Sequence, residues 1–533
     1  MRKLPTGRQN FRAIREEDLV YVDKTKQIHH IIENGNLYFL SRPRRFGKSL
    51  LLSKFQHLFE GEKELFKGLY IHEQTDYDFE AYPVLHFNFS KLGKGSTTDL
   101  ASGISFLLDE YATKYSIELP NGNIALQLDT LVKQIAKKGK PIVLLVDEYD
   151  SPITSFLTDL EKAEKNRDVL KDFFSPLKDL DAKGHLRFLF ITGVSKFSKV
   201  SLFSDLNNLT DLSLHRWSDD LLGITQEELL AYFSAHIDDA AKTLKQDRTE
   251  LLEGIKTWYN GYAYDPDIKL YNPFSLLSFF QAHQFNNFWF ATGTPTFLVK
   301  SVRNQAIFPS ELEKIVVSNT FFDKFSLEAI DAIGLLYQTG YLTIQAKETR
   351  GNRSKYFLGY PNEEVRLSMI HNLTEAFTYK NPSLVSNALL KMEEALEEGE
   401  IGRFVEQLSV LFSDISYHLL PKKKHDKRTE FEVWEGYFHT IIYLVTSFMG
   451  YHVQSEITRH KGRLDLLVET DDYLYLMEFK LNEPIKNAIE QIKNRAYAAA
   501  YKNSPKQVQL VGISFSKEER NVEDWSVEIW ERG

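Results

Sequence analysis

The 533-residue chain contains no cysteine, which excludes disulfides and every zinc site built on thiolates. It also lacks a long apolar run. The longest, near Tyr437 to Met449, is interrupted by His439 and Thr440 and is too short to span a bilayer. The first residues, Met-Arg-Lys-Leu-Pro-Thr-Gly-Arg, carry no apolar segment of the signal-peptide kind. The expected location is therefore cytoplasmic, with no membrane partner. No internal repeat and no low-complexity stretch stands out. A surplus of positive charge is missing too: 65 Lys and Arg face 74 Asp and Glu, for a formal net charge of −9. That argues against a grip on nucleic acid by the whole surface and leaves room for a local basic channel. What is present, 43% hydrophobic and 26% charged residues, is the composition of a soluble globular protein. The length exceeds one ordinary core, so two to four domains are expected.

The chain is organised around Leu37-Tyr-Phe-Leu-Ser-Arg-Pro-Arg-Arg-Phe-Gly-Lys-Ser-Leu-Leu-Leu52. It reads as a buried strand, a tight loop and the start of an apolar helix. A helix N-terminus offers free N–H groups and partial positive charge, which suit a polyphosphate. Gly47-Lys48-Ser49 forms the second half of a P-loop: Lys48 reaches the β- and γ-phosphates, and the Ser49 hydroxyl suits Mg²⁺. The first half departs from the pattern, because Arg42 occupies the place of its first glycine. The start of the loop must then be built differently, with Pro43 fixing φ and Arg44 and Arg45 adding positive charge around the phosphates. Phe46 and Leu50 complete the expected nucleotide-binding stretch.

A strand is expected over Tyr82 to Ser90. A stronger one is Pro141-Ile-Val-Leu-Leu-Val-Asp-Glu-Tyr-Asp150, whose apolar run suits a parallel strand buried on both faces. Asp147 at its end can hold Mg²⁺ through water, and Glu148 can polarise the attacking water, as in a Walker B motif. A fourth strand, Leu186 to Ser195, ends in polar residues. Thr192 and Ser195 are candidates for a γ-phosphate sensor, although a turn at Gly193 accounts for them equally well. Asn207, Asn208 and Asp211 are read as a polar loop. This order of strands and helices predicts a doubly wound α/β sheet.

From Gly223 onward the pattern turns helical. Thr225-Gln-Glu-Glu reads as a capping box. Aromatic residues around Trp258–Tyr262 and Phe288–Phe297 read as core rather than base-stacking surface. A helix ending near Thr339, then strands up to Tyr360, suggest a winged-helix-like lid. Amphipathic helices are expected over 361–420, and the basic run Pro421 to Arg428 marks a boundary, read as a solvated linker. The expected domains are 1–222, a P-loop ATPase domain; 223–372, a helical, winged-helix-like lid; 373–428, a helical linker; and 429–533.

In the last of these, Arg463 to Thr470 and Tyr473 to Lys480 read as strands joined by a two-residue turn at Asp471-Asp472. Pairing Thr470 with Tyr473 and counting outward sets Asp465 opposite Glu478 and Arg463 opposite Lys480, all on one face. Opposed Cβ atoms lie roughly 4.5–5.5 Å apart. Two carboxylates so placed repel unless a cation binds between them, and Mg²⁺ suits an all-oxygen site. Lys480 can then position a water and offset charge on a phosphate. A surface hairpin with charge pairs is the plainer alternative; the flanking Leu, Val, Met and Phe argue for burial, where unpaired carboxylates are costly. Upstream, Glu432, Glu435 and His439 share one side of a helix, with Glu435 nearest its buried edge. Glu456 ends a strand before the hairpin, and Gln491 is a site-edge candidate.

Gly462-Arg-Leu-Asp465, Glu478-Phe-Lys480, Gln491-Ile492 and Tyr497 resemble the PD-(D/E)XK nuclease superfamily, in the form fused to an AAA-ATPase-like domain in bacterial proteins. The N-terminal half resembles that partner through Tyr21-Val-Asp-Lys-Thr25, Arg42 to Ser49, Val146 to Asp150, Thr192 to Ser195 and Tyr271-Asn-Pro-Phe-Ser275. The resemblance implies Asp465, Glu478 and Lys480 as the nuclease core, with Glu435 as the helix acid. Leu464-Asp465 stands where the superfamily has Pro-Asp, which leaves the metal ligand intact. The expected function is an ATP-dependent or ATP-gated, Mg²⁺-dependent nuclease acting on DNA, with Mn²⁺ as an alternative metal and homo-oligomerisation left open. The alternative is a nucleotide-switched, STAND-like protein whose nuclease-like domain binds nucleic acid or a partner without cleaving.

Overall fold

The computed structural model describes the chain apart from residues 93–98, 197–201, 204–205, 207, 290–297, 300, 303–304, 306, 308, 324–330, 352, 379–381, 414–429, 460–461 and 532–533. The described residues divide into two compact units, 1–294 with 316–364, and 295–315 with 365–533.

The first unit is built on a five-stranded parallel sheet. Its strands are β1 (Leu37–Ser41), β2 (Val84–Asn88), β3 (Ile142–Asp147), β4 (Leu186–Gly193) and β5 (Thr210–Asp211), in the spatial order β2–β3–β4–β1–β5. Every residue of β1 and β3 is buried, as their unbroken apolar runs require. β2 is shorter at both ends than the sequence suggested. Pro83 cannot donate to the ladder, and only its carbonyl joins, accepting from Val143 N at 2.9 Å. Asp211 lies in β5 rather than in a loop, and Asn207 falls outside the described residues. Because all five strands run the same way, their C-terminal ends share one edge. That edge gathers the segments after β1, β3 and β4.

Helix α1 (Thr25–Asn34) buries Ile28, Ile31 and Ile32. Helix α2 (Lys48–Phe59) follows the loop after β1 and buries Leu51, Leu52, Phe55, Leu58 and Phe59. Phe55 packs 5.0 and 4.9 Å from Phe188 and Phe190 of β4, which locks the helix to the sheet. Helix α3 (Gln226–Leu244) begins with the expected capping box, Thr225 with Glu228. Helix α4 (Pro273–Ala282) is capped by Asn272, whose side chain accepts from Phe274 N and Ser275 N. Phe233, Tyr259, Phe279 and Phe280 belong to one buried cluster, with Phe233 and Phe280 stacked at 5.6 Å; Tyr262 and Trp289 are buried too, and Phe290 to Phe297 of the second aromatic stretch lie outside the described residues. A small sheet follows: β6 (Ile315–Ser318), helix α5 (Ala332–Thr339), then the antiparallel hairpin β7 (Thr343–Arg350) and β8 (Arg353–Gly359), in the order β6–β8–β7.

The second unit holds helices Pro382–Glu397 and Ile401–Ser413, helix α6 (Glu430–Phe448), strands β9 (His452–Arg459), β10 (Gly462–Glu469) and β11 (Tyr473–Leu481), helix α7 (Lys486–Asn494), then β12 (Gln507–Ser516) and β13 (Asn521–Ile529). The sheet order is β13–β12–β11–β10–β9. β9, β10 and β11 are antiparallel neighbours; β12 lies parallel to β11, and α7 supplies the crossover a parallel pair needs. Phe438 of α6 stacks on Phe515 of β12 at 4.4 Å and fixes that helix against the sheet. β9 continues past Glu456, the expected strand end, to Arg459, because it forms its own hairpin with β10 at Gly462. The segment before α6, read as a linker, packs into this unit: Tyr475 Oη donates to Leu396 O, and Gln509 Nε2 to Gly399 O at 3.3 Å. A side chain at Gly399 (φ 78°) would meet the Tyr473 ring at 2.6 Å. Pro421 to Arg428 lie outside the described residues. Among the described residues, no helix is long and apolar enough to cross a membrane.

Candidate functional sites

The first site forms at the C-terminal edge of the parallel sheet. Directly after β1, Arg42 N donates to Gly193 O at 3.1 Å, and the guanidinium turns inward, leaving the residue 1% exposed. It donates to Ser41 O (3.0 Å), Ser213 O (2.8 Å), Ser218 O (2.9 Å) and Ser218 Oγ (3.1 Å) and stacks over Tyr264 at 3.4 Å. Burial pushes its pKa down from the usual arginine value. This buried clasp is how the loop starts without the usual glycine.

Arg44 and Arg45 are exposed. Arg44 O accepts from Trp289 Nε1 at 3.0 Å, and Arg45 (φ 64°) lies over the Phe274 ring at 5.0 Å. Phe46 is buried, 5.0 Å from Tyr262. Gly47 caps α2 at φ 95°, a conformation that a side chain would strain. Lys48 Nζ donates to Arg42 O (3.1 Å) and Pro43 O (3.0 Å) and lies 4.0 Å from Glu148. Ser49 Oγ donates to Asp147 Oδ2 at 2.6 Å, and Asn88 Nδ2, at the end of β2, approaches the same oxygen at 3.4 Å. Asp147 Oδ1 is buried with no hydrogen-bond partner among the described residues. Burial raises the Asp147 carboxyl above its usual range, and the Ser49 bond and the Lys48 charge oppose this. Glu148 sits at φ 54°, a strained position for a side chain of its kind and typical of functional sites.

The two sensor candidates have different roles. Thr192 Oγ1 is buried without a hydrogen-bond partner among the described residues. Ser195 is committed: its N–H and Oγ both donate to Asp150 Oδ2 at 2.7 Å, and Val194 N donates to Asp150 Oδ1 at 3.1 Å. A side chain at Gly193 would meet Asp150 Oδ1 at 2.4 Å. Asn208 and Asp211 are held elsewhere, by Asp181 (2.8 Å) and Lys196 (3.0 Å). Beside Gly47 and Leu50 opens a cavity of about 100 Å³, lined by Tyr21, Lys54, Leu222, Phe233 and Leu277 among others. Lys54 is buried, 5.5 Å from the Tyr21 ring centroid. Burial, then the like charge of Lys24, pulls its pKa down to about 7. Sequence reasoning missed Asn88 and Lys54. Asn88 was legible as a polar strand end, whereas Lys54 reads as an ordinary charged helix residue.

The second site lies on the β10–β11 hairpin. The pairs Leu466–Met477 through Glu469–Leu474, with Thr470 N donating to Tyr473 O at 3.0 Å, keep the register counted from the two-residue turn. One step further, Asp465 faces Glu478, and Asp465 Oδ2 accepts from Phe479 N at 2.8 Å. Glu478 is 1% exposed. Its Oε1 accepts from Gln491 Nε2 of α7 and from Lys480 Nζ (3.4 Å), and Lys480 Nζ also donates to Gln491 Oε1 at 2.9 Å. Its Oε2 is buried with no hydrogen-bond partner among the described residues. Burial, then the neighbouring charge of Asp465, pushes the Glu478 carboxyl up to about 8, against the opposing charge of Lys480. His439 Nε2 stands 2.9 Å from Asp465 O, so it braces the backbone under the carboxylate. Glu435, half-buried one turn before His439, shares its face of α6. The side chains of Glu432, Glu456 and Arg463 lie outside the described residues.

Comparison with known proteins matches two regions of the chain. A family described as "Predicted AAA-ATPase" matches residues 5–203, and the PD-(D/E)XK nuclease superfamily matches residues 433–525. Over 533 residues the chain is 36% identical to the "Uncharacterized protein in vnfD 5'region" of Azotobacter chroococcum mcd 1, covering 99% of each. The chain belongs to the AAA-ATPase-like family that carries a C-terminal PD-(D/E)XK nuclease superfamily domain. No solved structure matches. Arg42 to Leu50, Asn88, Asp147, Glu148 and Thr192 fall within the ATPase-like match, and Glu435, Asp465, Glu478 and Lys480 fall within the nuclease match. The helical middle region and the hairpin β7–β8 lie outside both.

Proposed function

We propose that this member of the family is an ATP-dependent or ATP-gated, Mg²⁺-dependent nuclease that hydrolyses phosphodiester bonds of DNA. The observation that carries the proposal is Glu478 Oε2, a buried carboxylate oxygen with no partner, across from Asp465 and beside Lys480. An orphaned oxygen there fits a divalent cation, as does Asp147 Oδ1 beside Ser49 in the other unit. Ser49 and Asp147 would hold Mg²⁺ with ATP; Asp465 and Glu478 would hold Mg²⁺ or Mn²⁺ with nucleic acid. In both places the ion supplies positive charge against phosphate oxygens.

The chain's own residues do the rest. Lys48 leaves the Arg42 and Pro43 carbonyls to bind the phosphates, Arg44 and Arg45 add charge, and the cavity beside Leu50 receives the base. Glu148 accepts the proton of the water that attacks the γ-phosphate, and Thr192 donates to the terminal phosphate. At the other site Lys480 orients a water toward phosphorus and offsets the charge that develops on the phosphate. Gln491 holds the Lys480 and Glu478 heads in place, and Glu435 lies at the edge of α6 as the helix acid.

The test is a panel of labelled duplex and single-stranded DNA and RNA, incubated with purified protein and Mg²⁺ or Mn²⁺, with and without ATP. Cleavage that needs metal supports the reading. Binding without cleavage under every condition, with no metal-dependent shift in a thermal melt, leaves a nucleotide-switched binding protein instead.

A further inference from the structure

The hairpin β7–β8 is strongly basic within an acidic chain. Between Lys347 and Lys355 it carries Lys347, Arg350, Arg353 and Lys355 against one acid, Glu348, within a chain of net charge −9. From Gln345 to Gly351 every residue is exposed, so neither face of β7 is covered there. Pairing puts Arg350 directly across from Arg353, and Glu348 across from Lys355. Like charges directly opposed on a ribbon repel. Among the described residues, Arg350, Arg353 and Lys355 make no ion pair, and Lys347 only lies over the Tyr356 ring at 5.4 Å. A ribbon that keeps two arginines facing each other unneutralised is poised for a polyanion.

The root of the hairpin is rigid. Thr343 Oγ1 accepts from Ala263 N (2.8 Å) and donates to Ala263 O (3.1 Å), and Lys269 Nζ donates to Ile344 O at 3.0 Å. Phe322 packs on Tyr356 at 4.9 Å. The root also reaches the nucleotide site. Gly340, at the end of α5, lies so close to Pro43 that a side chain would meet its ring at 2.7 Å, and Tyr262, next to Ala263, packs on Phe46.

We propose that β7–β8 is a nucleic-acid contact. Lys347, Arg350, Arg353 and Lys355 grip the phosphate backbone of a strand or duplex, and that grip is felt at the Arg42–Ser49 loop through Gly340 and Tyr262. A two-stranded ribbon fits a duplex major groove, and four cations on it bind mainly phosphates, with little sequence preference. The inference rests on the reading of the protein as acting on nucleic acid, and the test separates the two. Full-length protein and the K347A/R350A/R353A/K355A variant are titrated with fluorescent duplex and single-stranded DNA and RNA by anisotropy across a salt series, with a charge-reversed R350E/R353E variant beside them. The expected result is binding weakened roughly tenfold or more, a salt dependence shallower by up to about 0.9 per lost phosphate contact, basal ATP hydrolysis and melting temperature unchanged, and loss of any ATPase stimulation by nucleic acid. Wild-type binding that both variants retain overturns the hairpin contact and leaves the proposed function standing. Wild-type protein that binds no nucleic acid, or that prefers phosphatidylserine vesicles or an acidic protein, overturns both. Binding lost with the hairpin, in a protein that never cleaves, supports the contact and removes only the nuclease.

Discussion

Arg42 replaces a backbone solution with a side-chain one. Where a P-loop commonly has glycine, this chain spends a buried guanidinium on three carbonyls, a hydroxyl and an aromatic face. Restoring the common spelling with Arg42→Gly therefore fails to help. It leaves Ser213 O and Ser218 O without their donor and is expected to cost roughly 2–5 kcal/mol and to weaken ATP binding. A thermal melt and nucleotide titration check this, and tighter nucleotide binding in the variant sinks the idea. Lys54 yields a second prediction, with a definite sign. Its folded pKa of about 7 lies below the unfolded lysine value, so the unfolded chain holds the extra proton between the two. The charged-state penalty is in full force below about pH 7 and fades as pH rises above it. Asp23 and Glu228 favour the charge, while Lys24 and burial oppose it. Lys54→Met should raise the melting temperature at pH 7 by more than at pH 9; equal gains at both pH values would show that Lys54 is not titrating there.

At the scale of the element, what was legible and what was not has a physical reason. The β10–β11 hairpin could be counted from sequence, because a two-residue turn fixes the register and strand side chains alternate. The Arg42 clasp could not be read, since Ser213 and Ser218 lie 171 and 176 positions away along the chain. Parallel strand order was legible only as a class: that β4 separates β1 from β3 depends on pairings no local pattern announces. The hairpin also sharpens its own prediction. Asp465 Oδ2 holds the Phe479 N–H, so an alanine there removes a structural bond as well as a charge, and the better probes are Asp465→Asn and Glu478→Gln. Each should lose metal binding and at least a hundredfold in cleavage, on the order of the loss of one preorganised charged group. In the absence of metal and above about pH 8, where Glu478 is ionised beside Asp465, neither should melt lower than wild type, because a repulsive buried charge is gone. Lys480→Ala should keep the metal and lose turnover, and calorimetric metal titration beside cleavage rates separates the two effects.

For the whole molecule, the two sites belong to separate compact units, each with its own sheet. ATP hydrolysis is therefore expected to survive Asp465→Asn, Glu478→Gln and Lys480→Ala. The converse asks which nucleotide event controls cleavage. In this structure Lys48 Nζ donates to Arg42 O and Pro43 O, and Trp289 Nε1, from the helical middle region, donates to Arg44 O. Binding of phosphate, not its hydrolysis, is what must draw Lys48 off those carbonyls and reshape the loop that Trp289 holds. Lys48→Ala should lose ATP binding and any ATP effect on cleavage. Glu148→Gln removes only the group that polarises water, so it should bind ATP, fail to hydrolyse it, and still cleave DNA when ATP is added. The measurement is cleavage by both variants with saturating ATP, alongside ATPase rates. A Glu148→Gln protein that holds ATP yet cleaves no better than Lys48→Ala would show that turnover, and not occupancy, drives the nuclease. Undiminished ATPase in that variant would place the catalytic base elsewhere than in the strained Glu148 position after β3.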